Sequence, residues 1–103
     1  MKSHNTVVFR DEGKRKVVYH KTVVISHDLE KNEIKINSGG WQTKTTKDRI
    51  NAYFKEYLNN HWLRVYSKNY QWKIENKDSV FNFYDNIIFK LLSDGNCLIT
   101  DGH

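Results

Sequence analysis

The chain has 103 residues, with 17 Lys/Arg against 12 Asp/Glu, a formal net charge of +5 and a pI near 9.3. A 38% hydrophobic and 14% aromatic content fits one compact core: the chain is too short for two and too apolar for a disordered polymer. One cysteine, Cys97, excludes a disulfide framework and a multi-cysteine zinc site; no apolar run approaches the ~18 residues of a membrane span, and the sign of the charge excludes a DNA mimic.

The first elements read as β structure. Thr6–Arg10 is a short β-rich run, and Asp11–Lys16, with Gly13 inside it, reads as a turn. Lys16–Ser26, rich in Val, Tyr, Thr and Ile, reads as one long or bent strand. His27–Asn32 is a polar turn, Glu33–Asn37 places Ile34 and Ile36 on one face, and Ser38-Gly39-Gly40 breaks the strand. Met1–Thr6 leads straight into the first apolar run, so no signal peptide is expected, and a reducing, intracellular setting follows.

A helix is predicted next. Thr45 is the expected N-cap, with Asp48 three residues on. Ile50, Tyr53, Phe54, Tyr57, Leu58 and His61 follow at helical spacing, with Arg49, Asn51, Lys55, Glu56 and Asn59 on the other face and Asn59-Asn60 as the stop. The period then drops to two. Trp62–Ser67 and Tyr70–Glu75 flank a Lys68-Asn69 hairpin loop. Ser79–Tyr84 and Ile87–Leu92 form further strands around Asp85-Asn86, and Ser93–His103 is a weak strand or a loose tail, as are residues 1–5. The expectation is a single α+β domain over 1–103: an antiparallel sheet of about five to seven short strands with one amphipathic helix packed on one face.

The positive charge is uneven. Residues 1–52 hold eleven basic and six acidic side chains, residues 53–103 six of each. Lys, Asn and Ile make 32 of the 103 residues, a bias that an AT-rich genome produces by itself, so the clustering at Lys14, Arg15, Lys16 and Lys21 carries more weight than the pI. The predicted hairpin supplies a second basic group. With loop Lys68-Asn69, Val65 pairs with Trp72 and Leu63 with Ile74 on an apolar face. The opposite face sets Tyr66 across from Gln71, Arg64 across from Lys73 and Trp62 across from Glu75. Arg64 facing Lys73 is repulsive unless an anion lies between them. Trp62, Arg64, Tyr66 and Lys73 thus make a basic and aromatic face of the kind that binds single-stranded nucleic acid. The bland alternative is an ordinary solvated sheet face.

The third candidate is the loop into the helix, with Trp41, Thr43, Lys44, Lys47 and Arg49 around a glycine pair. It could hold an anion on free N–H groups, but it lacks the P-loop spacing. The simpler reading is structural: glycines for the turn, Thr45 for the cap, Trp41 folded over the core. The stretch Gly40-Trp41-Gln42-Thr43-Lys44-Thr45-Thr46-Lys47-Asp48-Arg49-Ile50-Asn51 resembles a motif in small proteins of tailed bacteriophages. The likeness extends over about Ile34 to Phe89, through Tyr70–Ile74 and Phe83–Ile87. It implies a phage origin, with the host cytoplasm as the setting, and no catalytic residues.

Enzyme chemistry has little support. The five histidines, His4, His20, His27, His61 and His103, form no H-x-x-x-H pair. Asp94-Gly95-Asn96 lacks the ligand series of a calcium loop, and Cys97 reads as an incidental cysteine. No cofactor and no metal are expected. The favoured function is a non-enzymatic nucleic-acid-binding module, for single-stranded DNA or RNA. The alternative is an inhibitor or modulator of a host protein such as a polymerase, a nuclease or a CRISPR or restriction complex. A virion component that pairs through a free sheet edge is a third.

Overall fold

A computed structural model describes residues 6–58 and 60–101. Its elements are β1 (Thr6–Asp11), β2 (Lys14–Tyr19), β3 (Thr22–Asp28), β4 (Glu33–Ile36), α1 (Lys44–Tyr57), β5 (Arg64–Lys68), β6 (Gln71–Glu75), β7 (Val80–Asn82), β8 (Ile87–Leu91) and β9 (Cys97–Ile99). One antiparallel sheet has the order β1-β2-β3-β4-β8-β9, and a second has β5-β6-β7. The α+β class stands. Among the described residues the strands number nine: six form the large sheet, within the five to seven expected, and three form a second sheet. Residues 1–5 and 102–103, expected as loose ends, lie outside the described residues, as does Asn59. Cys97–Ile99 does form the weak strand anticipated near the end.

One extra strand comes from a turn without the usual turn residues. Lys16–Ser26 is two strands, because His20 takes a positive φ of 57° and Tyr19 pairs back onto Thr22. The first turn is shorter than expected. Glu12 and Gly13 both have positive φ, which matches the twist of a tight hairpin, so β2 begins at Lys14. A bulge sets two residues of β3, Val23 and Val24, into the space of one on β2. As a result Val24 and Ile25, adjacent in sequence, are both buried.

The helix starts two residues earlier than Thr45 suggests. Thr43 is the N-cap, and its Oγ1 accepts the Thr46 N–H at 3.2 Å. Leu58 is the C-cap, so His61 lies beyond the helix and is exposed rather than on its apolar face. Ile50, Tyr53 and Phe54 are buried as the spacing predicted, and Tyr57 is at the margin. They meet Val17, Ile25, Ile34, Ile36, Ile87 and Phe89 of the large sheet and Leu63, Val65, Trp72, Ile74 and Phe83 of the small one in a single core. Each such side chain contributes about 1.5–3 kcal/mol by burial, against about 1 kcal/mol for a cap. Packing therefore holds the helix, and the cap decides where it starts.

Among the buried polar residues, His27 is bonded directly to a core side chain. His27 is 4% exposed. Its Nε2 donates to Asn32 Oδ1 at 3.0 Å, and its Nδ1 accepts from the Tyr53 hydroxyl at 2.7 Å. This arrangement suits the neutral ring. Burial lowers the His27 pKa below its ordinary 6.5, and burial raises that of Tyr53.

Two outcomes follow. Thr43→Ala should lower stability by about 1 kcal/mol, whereas Thr45→Ala should leave the denaturation midpoint nearly unchanged. His27 binds a proton more readily in the unfolded chain than in the folded one. Its contribution is therefore full above about pH 6.5 and declines as the pH falls below that value. Urea midpoints measured between about pH 7.5 and pH 5 should fall, and His27→Gln should flatten that slope.

Candidate nucleic-acid interface

Strand alternation divides the first basic cluster between two faces. Arg15 points inward with Val17, and its guanidinium lies 4.7 Å from the centre of the Tyr57 ring. It therefore belongs to the seam under α1 and leaves the surface cluster. Lys14 and Lys16 point outward. The register carries that outer face across the sheet, with Phe9 beside Lys16, Lys16 beside Ser26, Ser26 beside Lys35, and Lys35 beside Ile88. Lys14, Lys16, Lys21 and Lys35 line one hollow of about 520 Å³, with Thr22, Val23, Ser26, Asn37 and Asn86. None of these lining residues is acidic. Asp11 sits at the edge, 3.4 Å from the Lys16 ammonium. Lys35 and Phe9 were missed by sequence reasoning. The alternation of Ile34 and Ile36 already turned Lys35 outward, but only the β3–β4 pairing brings it beside Lys16.

A second hollow of about 700 Å³ adjoins the first across Lys21 and Thr22, which line both. It lies between the β2–β3 turn and the approach to α1, and its walls include Tyr19, His20, Ser38, Trp41, Thr43 and Thr46. The approach is held from a distance. Asp85 Oδ1 accepts from the backbone N–H and the hydroxyl of Ser38, each at 2.8 Å, and Asn37 donates to Asn86 at 2.7 Å. Gly39 is at φ 66°, and a Cβ there would come within 2.7 Å of the Thr22 hydroxyl. The chain can press this close to the hairpin only because the residue is glycine. Trp41 does not fold over the core: it is 71% exposed.

The loop candidates part company. Thr43 is occupied as the cap, and Lys44 pairs with Asp48 at 2.8 Å. Lys47 is half-buried one turn on, and it does not line the hollow. Arg49 lies 5.5 Å over the Tyr19 ring, with its Nε buried and, among the described residues, without a hydrogen-bond partner. Of the five, Trp41 and Thr43 line the hollow.

The second hairpin is displaced from its expected register. Asn69 and Tyr70 form its loop, both at positive φ, so Arg64 faces Glu75 and Tyr66 faces Lys73. Arg64 Nε donates to Glu75 at 2.5 Å, its guanidinium covers the Tyr66 ring at 4.6 Å, and Lys73 donates to Asn82. The expected Arg64–Lys73 opposition is absent, and with it the argument for a phosphate between them. Trp62 precedes β5 and packs on Gly95, where an added Cβ would lie 2.7 Å from its ring. The inner face was read correctly, since Leu63, Val65, Trp72 and Ile74 are all buried.

Among the described residues no group of three or more His, Cys, Asp or Glu is placed to hold a metal ion, and no helix is long and apolar enough to cross a membrane. Burial, aided by Asp94, pushes the Cys97 thiol up to about 12.

The fold and its surface define a small α+β protein with a lysine-lined sheet face, and the phage-like motif runs through the loop that walls one of its hollows. The chain belongs to the Kyanoviridae Gp96 protein family, whose model matches residues 1–102, so it is a bacteriophage protein. No curated protein and no solved structure matches it.

Cys97 should react slowly with a thiol reagent in the folded protein at about pH 8 and rapidly in denaturant, because so little thiolate is present in the native state. A fast native reaction would show that the β8–β9 edge opens readily.

Proposed function

We propose that this phage protein is a non-enzymatic module that binds nucleic acid along the outer face of its six-stranded sheet. The observation that supports this most directly is the gathering of Lys14, Lys16, Lys21 and Lys35 around one hollow lined by no acid. The four lysines concentrate positive charge at this hollow even with Asp11 and Asp28 beside Lys14, and a polyphosphate chain gains from that charge while releasing its own counterions. Phe9, 40% exposed and beside Lys16, adds an aromatic surface at the same place. A second reading, a host-protein target, draws on a different observation. The two outer strands of the large sheet leave Val7 and Leu98 more than half exposed, as edges that pair with another chain do.

The two readings separate in a fluorescence-anisotropy titration with single-stranded DNA and RNA over a range of salt. Affinity should fall steeply as salt rises, with a log–log slope of about −0.7 for each phosphate neutralised on a single strand. Lys16→Glu with Lys35→Glu should weaken binding at least about tenfold and flatten the slope by roughly one unit or more. Arg64→Glu with Lys73→Glu should change little. Equal losses from both pairs would argue against the sheet hollow, and no binding at low salt would leave the host-protein reading.

A further inference from the structure

We infer that the hollow between the β2–β3 turn and the approach to α1 receives an unpaired nucleobase, stacked on Trp41, from a strand whose phosphates lie along the lysine face; this rests on the reading proposed above. The hollow has the chemistry of such a ligand. Its volume of about 700 Å³ is in the range of small-molecule sites. Trp41 gives a large π surface that is 71% exposed and, among the described residues, has no ring stacked on it. Tyr19 is different: Arg49 lies over its ring. The Thr22 hydroxyl and the His20 ring supply polar groups in the same walls, where the hydroxyls of Ser38, Thr43 and Thr46 are already engaged with Asp85 and with the helix cap.

Position favours a base over other aromatic ligands. Lys21 and Thr22 border both hollows, so a base beside Trp41 has its own phosphate next to Lys21 and its neighbours' phosphates toward Lys16 and Lys35. A base inside a duplex has both faces covered by its neighbours and presents only its edge, so the hollow favours strands with unpaired bases. The backbone that carries Trp41 is already set. Its N–H donates to Ser38 at 3.1 Å, and Ser38 is bound to Asp85.

The test uses the full chain with three probes at low salt: a short oligothymidylate, an abasic strand of the same length and a duplex. Trp41→Phe assigns the Trp41 indole N–H signal in the NMR spectrum. The base-bearing strand should move that signal, and the abasic strand should bind without moving it. Trp41→Ala, a change at an exposed side chain, should weaken the base-bearing strand about tenfold and leave the abasic strand unaffected. Equal affinity for the two strands with a stationary Trp41 signal overturns the base site while leaving the lysine face intact. An equal loss for both strands in Trp41→Ala also overturns it, because Trp41 would then serve the backbone. Preference for the duplex counts against it as well. No binding of any probe removes both readings.

Discussion

Among the described residues, one side chain hydrogen-bonds the helix to the smaller sheet. Asn51, on the helix face that spacing marks as polar, donates from Nδ2 to the Val65 carbonyl and accepts from the Val65 N–H through Oδ1, both at 2.8 Å. β5 is an edge strand of its sheet, and Val65 is buried. Its backbone groups would otherwise be left without partners away from water, at a cost of about 1–3 kcal/mol each. The primary amide of Asn51 takes the place of a missing neighbouring strand. α1 can then lie against both sheets, and one core suffices for three layers of structure. Phe81 and Phe89 close the far side, edge to face at 6.0 Å.

The apolar half of this arrangement was legible in the sequence. Period two and period 3.6 identified Ile34, Ile36, Ile50, Tyr53, Phe54, Leu63, Val65, Trp72 and Ile74 as inward, and all are buried. The polar half was not. Nothing in spacing marks Asn51 as a backbone partner or Asp85 as the anchor of a loop 47 residues away. The hairpin register shows where such patterns stop. A slip of one residue exchanges the faces and is excluded, but a shift that moves each pair by two keeps every face intact. Hydrophobic alternation is blind to it. The electrostatics were not: Arg64 opposite Glu75 satisfies what Arg64 opposite Lys73 could not.

The candidate site was half legible for the same reason. Lys14 and Lys16 stood out as a cluster, but a β-strand turns neighbours to opposite sides, so Arg15 was lost to the seam under Tyr57. Lys35 joins by sheet order alone. Trp41 was seen within a distinctive motif and was expected to cover the core. It stays outside because the core is already closed by α1 and two sheets, and because the turn at Ser38-Gly39-Gly40 directs the chain along the hairpin rather than beneath it.

The Ser38–Asp85 bond also has a meaning in time. β1, β2 and β3 are linked by tight local turns, so their lysines can come together as soon as that part of the chain leaves the ribosome. The wall that carries Trp41 is different. It takes its final place only after Asp85 and Asn86 have been synthesised and β8 has closed on β4, a pairing between distant parts of the chain that forms slowly. The strands that carry Lys14, Lys16 and Lys21 are thus built early, and the Asn86 side of their hollow and the shaped wall come late. On the proposed reading, a nascent chain would be attracted to a polyanion before it is able to discriminate among polyanions.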